Sequence, residues 1–181
     1  NFHKSTLAVA KVRKEIGTRT LFNLLGPLTN PALPQGQLLG VNSPEVCQVM
    51  IEVLKNLKIK KAMVVCALDT KLDELSNCGP TLVYELYAGR IHKYEINPED
   101  VDLKKACIDD LKGSDPKANA DVIRQIFQNK ISDARRDIVL LNTAAILYLS
   151  EKVESLREGV IKSKESIESG SAYSKLLKIA S

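Results

Sequence analysis

The sequence predicts an α/β fold: a mostly parallel sheet with a β-hairpin, flanked by helices. Three observations carry that expectation. Residues 61–68, KAMVVCAL, are an apolar run rich in β-formers without alternation, the pattern of a strand covered on both faces. Ahead of it, Val46, Val49, Met50, Val53, Leu54 and Leu57 recur at helical spacing behind Ser43, a residue suited to cap a helix. Residues 81–87 and 90–96 alternate and are joined through Ala88-Gly89, the signals of a hairpin.

The elements follow in order. Ser5 predicts the cap of a first helix whose apolar positions Val9, Val12 and Ile16 share a face, with Gly17 as its stop. Arg13 borders that face. An apolar run from Leu21 to Leu25 is expected to break at Gly26-Pro27-Leu28-Thr29-Asn30-Pro31, where a glycine and two prolines impose an irregular backbone beside a core segment. Such a loop is costly to build for packing alone, and the cations leading into it suggest a place where an anionic small molecule is held. Residues 31–36 read as loop and 37–41 as a short strand. With the helix from Ser43 and the strand from Lys61, that strand completes a βαβ unit. After the hairpin come three helices, about 116–129, 135–150 and 151–169, the last stopped by Gly170. The middle one, DIVLLNTAAILYL, is apolar nearly all round and is expected beneath the sheet or among other helices. With no internal repeat or low-complexity linker, residues 1–181 read as a single α/β domain.

Composition narrows the function. Hydrophobic residues make up 44% and charged residues 27% of the 181, ordinary for a globular chain with a proper core. The longest apolar stretches are far too short to span a bilayer, and without an apolar signal-like segment among the first residues nothing points to secretion. The net charge of +4 lies wholly in residues 1–20, where Lys4, Lys11, Arg13, Lys14 and Arg19 oppose Glu15 alone. With aromatics at 4% and no Trp, this is a local patch, not the basic stripe of a nucleic-acid binder. Cys47, Cys66, Cys78 and Cys107 show no CxxC pairing; Cys47 and Cys66 read as small hydrophobes, and a reduced, cytoplasmic protein is the simplest account. Asn1 in place of Met reads as a cut or trimmed end.

Two groups of residues carry candidate chemistry. The segment Leu68-Asp69-Thr70-Lys71-Leu72-Asp73-Glu74-Leu75 follows the buried strand, and ligands in α/β sheets gather beyond the carboxyl ends of strands. Adjacent carboxylates such as Asp73 and Glu74 can share a hydrated Mg²⁺; taken alone, an Asp-Glu pair is more often a solvated surface. Arg13 suits a bidentate contact with a carboxylate or a phosphate, and His3 lies within reach of the same space. Neither His has a Ser or Cys in a triad-like context, so nucleophilic catalysis has no support. The glycines are too scattered for a loop that cradles phosphates with backbone N–H groups. Gly113-Ser114-Asp115 precedes a helix and is consistent with a simple cap.

Taken together, these segments resemble the anthranilate phosphoribosyltransferases, of the nucleoside phosphorylase/phosphoribosyltransferase-like fold. The resemblance rests on VRKEIGTRTLFNLLGPLTNP at 12–31, QLLGV at 37–41, LDE at 72–74, GPT at 79–81, Gly113-Ser114-Asp115 with Asn119-Ala120, RDIVLLNTAAILYL at 136–149 and SGSAYSKL at 169–176. It covers essentially the whole chain in order, and GPLTNP followed by LDE is specific. It implies transfer of a phosphoribosyl group from phosphoribosyl pyrophosphate to anthranilate in tryptophan biosynthesis. It further implies that Arg13 orients the anthranilate carboxylate, with His3, Gly26 and Pro27 lining that pocket, and that Asp73 and Glu74 hold Mg²⁺ on the pyrophosphate side. The intact family is homodimeric, with neither nucleic acid nor membrane as partner.

The chain also departs from the family pattern. Lys71 stands where the family usually has glycine, Cys66-Ala67 where His-Gly or similar is common, and Ser114 where a second glycine is usual. The family's N-terminal helical segment, which supplies the dimer surface, and its glycine-rich donor loop precede the point where residue 1 falls. The expectation is therefore a C-terminal portion with part of the anthranilate pocket and one metal site, inactive alone. A non-catalytic, nucleic-acid-binding relative of the same fold is the alternative; it would spread basic charge along a face, whereas the charge outside residues 1–20 sums to zero. A nucleoside phosphorylase is disfavoured because GPLTNP is not its pattern.

Overall fold

The computed structural model describes Glu15, Gly17 and residues 22–180. Its contacts group the chain into two units, residues 1–35 and 36–181. The expected first helix, with Ser5, Val9, Val12 and Ile16, lies outside the described residues, as do His3 and Arg13. Glu15 is helical and Gly17 has φ +66°, the left-handed backbone a glycine helix stop adopts.

In the first unit, helix α1 spans Phe22–Leu28 and runs through Gly26 and Pro27. The expected break at Gly26-Pro27 is thus displaced by a turn. Pro27 sits near the end of a short helix, where its missing N–H removes only a single ladder bond. The stop belongs to Thr29, whose hydroxyl donates to the carbonyls of Leu25 (3.1 Å) and Gly26 (3.2 Å). Asn30 then closes a turn: its side-chain oxygen accepts from the Ala32 N–H at 3.0 Å and its carbonyl from the Leu33 N–H at 3.1 Å, with Pro31 between.

The second unit holds β1 (Gly36–Gly40), α2 (Pro44–Asn56), β2 (Lys61–Ala67), β3 (Thr81–Tyr87) and β4 (Arg90–Ile96), followed by α3 (Pro116–Phe127), α4 (Ala134–Leu149), α5 (Leu156–Glu168) and α6 (Ser171–Ala180). The strands form one sheet in the order β1-β2-β3-β4. The βαβ unit is present, with β1 parallel to β2, and so is the hairpin; Ala88 (φ +48°) and Gly89 (φ +76°) make its two-residue turn. β1 begins and ends one residue earlier than expected, although the Val41 N–H still bonds to the Val65 carbonyl at 2.9 Å.

The sheet is mixed rather than mostly parallel, because β2–β3 and β3–β4 are antiparallel. Residues 68–80 between β2 and β3 contain no helix, so no crossover carries the chain back to the start of the sheet. The unbroken apolar run of β2 instead reflects cover on both faces. Met63 and Val65 join Leu140, Leu141, Ala144 and Val160 in the core cluster with α4 and α5. Alternate residues Ala62, Val64 and Cys66 face the other way, toward α2.

Two helices are rotated or shortened relative to expectation. The buried face of α2 is Cys47, Met50, Ile51 and Leu54, leaving Val49 and Leu57 more than half exposed. Cys47 and Cys66 are buried free thiols, packed as small hydrophobes as expected; burial pushes the Cys47 thiol up to about 12. The helix expected from Glu151 starts at Leu156, with Ser155 accepting from the Glu158 N–H at 3.2 Å. The chain reverses at Glu151 (φ +58°) so that α5 can pack back on α4, where Gly159 abuts the backbone of Ala144. α4 is buried along Leu140, Leu141, Ala144, Ala145 and Leu149 but exposes Ile146, so it is not enclosed all round.

Candidate functional site

The segment after β2 is shaped by a few backbone bonds. The Ala67 N–H donates to the Leu72 carbonyl and the Lys71 N–H to the Ala67 carbonyl, each at 3.1 Å, folding 67–72 into a tight loop. Lys71 sits at φ +55°, which accounts for a glycine preference at this position: only glycine enters the left-handed region without strain. The Leu68 N–H reaches the Pro80 carbonyl at 2.9 Å and ties the loop to the start of β3.

This folding lays Leu72-Asp73-Glu74 across the carboxyl end of β1. The backbone carbonyl of Asp73 occupies the space that a Cβ on Gly40 would need. The following residues are pinned. Leu75 is fully buried, and both of its backbone groups bond to the Asn142 carboxamide of α4, N–H to oxygen at 3.1 Å and carbonyl to nitrogen at 2.8 Å. The Ser76 N–H donates to Thr81 Oγ1 at 3.0 Å, and the Asn77 side chain donates to the Ala134 carbonyl at 2.8 Å. The Asp69 carboxylate packs on Gly79, which has no Cβ to obstruct it.

Asp73 and Glu74 are therefore exposed side chains on a fixed backbone. Partial burial, and then the negative charge of Asp73 beside it, hold the Glu74 carboxyl above the ordinary carboxylate range. Two adjacent carboxylates on one fixed loop are a fit for a divalent cation. A hard, strongly hydrated ion such as Mg²⁺ accepts one or two carboxylates and keeps several waters. Among the described residues, no three His, Cys, Asp or Glu side chains converge to form an all-protein metal cage.

Glu74 also lines a cleft of about 690 Å³ between this loop, residues 111–114 and the facing sides of α3 and α4. Lys112, Ser114, Asn119 and Arg135 supply its polar edge and Val122, Ile123 and Val139 its apolar wall. Asp115 caps α3 by accepting from the N–H groups of Lys117 (2.9 Å) and Ala118 (3.0 Å), as its place before the helix implies. Asn119 clamps Ser114 through both backbone groups, and Gly113 is the residue that must lack a side chain, being pressed against Asn119.

Of the sequence-predicted site residues, Asp73 and Glu74 are brought together on one loop. Gly26 and Pro27 lie in the last turn of α1, in the other unit, and His3 and Arg13 lie outside the described residues. Sequence reasoning did not single out Gly40, Gly79 or Asn142, which fix the loop. Asn142 had a visible signal, an isolated amide in an otherwise apolar helix; the two glycines had none, since a close backbone approach leaves no local pattern.

A mixed sheet carrying a rigid acidic loop beyond the carboxyl ends of its two parallel strands defines an α/β domain with a candidate site on that loop. The family described as "Glycosyl transferase family, a/b domain" matches residues 1–173, and the chain belongs to it. It is 46% identical over 98% of its length to the anthranilate phosphoribosyltransferase of Caldanaerobacter subterraneus subsp. tengcongensis. Among solved structures it superposes on the anthranilate phosphoribosyltransferase of Thermus thermophilus with a TM-score of 0.89, at 40% identity over 97% of this chain and 51% of that one. The Saccharomyces cerevisiae enzyme in complex with PRPP and Mg gives a TM-score of 0.86 at 28% identity, covering 96% and 50% of the two chains. The same yeast enzyme in complex with 4-fluoroanthranilate gives 0.88, also at 28% identity over 96% and 50%. The chain spans about half the length of the curated relatives it matches. Among the described residues, no helix is long and apolar enough to cross a membrane.

Proposed function

We propose that this chain is the C-terminal α/β portion of an anthranilate phosphoribosyltransferase, a cytoplasmic, homodimeric enzyme of tryptophan biosynthesis. The reaction joins anthranilate to phosphoribosyl pyrophosphate. The anthranilate amine forms the new bond to C1 of the ribose, the bond from C1 to pyrophosphate breaks, and the amine's extra proton passes to solvent. Pyrophosphate leaves, and N-(5-phosphoribosyl)anthranilate remains.

The observation that carries this reading is the Asp73–Glu74 pair, held on a backbone wedged against Gly40 and clamped by Asn142. The likeness to relatives described in complex with PRPP and Mg, and with 4-fluoroanthranilate, supports it. Asp73 and Glu74 would hold Mg²⁺, which when bound neutralises the charge developing on the pyrophosphate leaving group. Arg13 is assigned to the anthranilate carboxylate, and His3, Gly26 and Pro27 to the wall of the same pocket. An aromatic amine is nucleophilic without a strong base, so alignment and charge neutralisation suffice for catalysis.

The test is calorimetric titration with phosphoribosyl pyrophosphate in the presence of Mg²⁺, with and without Asp73→Asn/Glu74→Gln. The double variant should bind at least about tenfold more weakly, the scale of losing a charge-assisted metal contact. Unchanged affinity would remove both carboxylates from the assignment. Loss of anthranilate fluorescence with the donor present measures turnover. The 181 residues alone are expected to show none, and turnover by them would overturn the view that the donor loop lies elsewhere.

A further inference from the structure

A second cavity, of about 370 Å³, lies on the opposite side of α4 from the Glu74 cleft, between that helix, α5 and the segment 101–104. Three cations line it: Arg136 from α4, Lys164 from α5 and Lys104 from the segment after β4. Arg136 is only 8% exposed. Its Nη1 donates to Asn129 Oδ1 at 3.0 Å, but its buried Nε–H has no hydrogen-bond partner among the described residues. A buried charged donor left unmatched is costly, and an arginine seldom stays so without a ligand or a water.

The carboxylates nearby do not balance these charges. Asp102 is taken by Arg157, at 3.1 Å. Lys164 touches Glu168 only at 3.8 Å. That leaves Asp137 facing Arg136, Lys104 and Lys164. Burial raises the Asp137 carboxyl, while Arg136, Lys104 and Lys164 favour its ionised form. A single bridging water occupies about 30 Å³ and would not fill this space. A cavity lined by a guanidinium and two ammonium groups matches a small oxyanion.

We propose that this cavity is a binding site for a small phosphate-type oxyanion, seated against Arg136 and neutralised by Lys104 and Lys164. It is separate from the Asp73–Glu74 loop and independent of the reading of that loop.

The side-chain ¹H–¹⁵N resonance of Arg136 Nε–H tests the proposal directly on the 181-residue chain, titrated with inorganic phosphate against chloride at equal ionic strength. The resonance, assigned through the backbone, should shift and saturate with phosphate only. Lys104→Gln/Lys164→Gln, two exposed-side substitutions, should weaken the apparent affinity about tenfold, while Asp73→Asn/Glu74→Gln should leave it unchanged. A resonance that does not move, that moves equally with chloride, or that responds identically in the double lysine variant would overturn the proposal. So would a response abolished by Asp73→Asn/Glu74→Gln, which would place the anion on the acidic loop instead.

Discussion

The carbonyl of Asp73 lies where a side chain on Gly40 would have to go, so the last residue of β1 and the first carboxylate of the candidate metal loop are in backbone contact. Since neither group is a flexible side chain, any Cβ at position 40 must move the loop. Gly40→Ala is expected to cost about 1–3 kcal/mol, the range for overpacking a tight site, and to weaken Mg²⁺-dependent donor binding along with it. Thermal unfolding and calorimetric titration of the same variant check the two effects. A stable variant with unaltered binding would refute the coupling.

Lys71 offers a substitution in the opposite direction. Its φ of +55° strains any residue with a Cβ, at roughly 1–2 kcal/mol, of which glycine's greater freedom in the unfolded chain returns about half to one. Lys71→Gly should therefore stabilise the protein by about 0.5 kcal/mol, a rise in Tm of roughly 1–2 °C for a chain of this size. Lys71→Val should lower it. Differential scanning calorimetry of the pair decides.

Asn142 satisfies both backbone groups of the fully buried Leu75. Asn142→Leu would leave that N–H and carbonyl without partners, at about 1–3 kcal/mol each. The expected result is a loss of about 2–4 kcal/mol in denaturant unfolding, together with accelerated hydrogen exchange at residues 75–77. Normal exchange there would mean that the platform under Asp73 and Glu74 has another support.

The raised Glu74 carboxyl gives a pH signature. A group whose folded pKa lies above its unfolded value favours the folded state at low pH, and this contribution is lost as pH rises through the folded value. From about 4.5 upward, the metal-free protein should lose stability relative to Glu74→Gln. Mg²⁺ has the reverse dependence, because it binds the ionised pair, so its affinity should fall as pH drops through the same window. Titration in two buffers of different ionisation enthalpy should reveal proton release on Mg²⁺ binding that grows as pH falls toward the range of the raised Glu74 carboxyl, and its absence would argue against Glu74 as a ligand.

Much of the fold was legible because it is local. Ser43, Asp115 and Gly170 mark helix ends through their own backbone chemistry, and the alternation of 81–87 and 90–96 with Ala88-Gly89 sets the hairpin without reference to anything distant. The misreadings came from effects that are not local. Pro27 looked like a break, but it falls late enough in a short helix to be tolerated. The apolar spacing of α2 runs through Val49 and Leu57, whereas the buried face is Cys47, Met50, Ile51 and Leu54.

Residue types and their period act over a few positions at a time, and they suffice for most element types, the βαβ unit, the hairpin and the carboxylate pair. Packing across the chain sets the rest: β3 runs antiparallel to β2, the Asp73 backbone rests on Gly40, and Asn142 and Leu75 meet from distant segments. Those relations join segments far apart in sequence. They exist because burial leaves space for one arrangement and because buried backbone groups must find partners there.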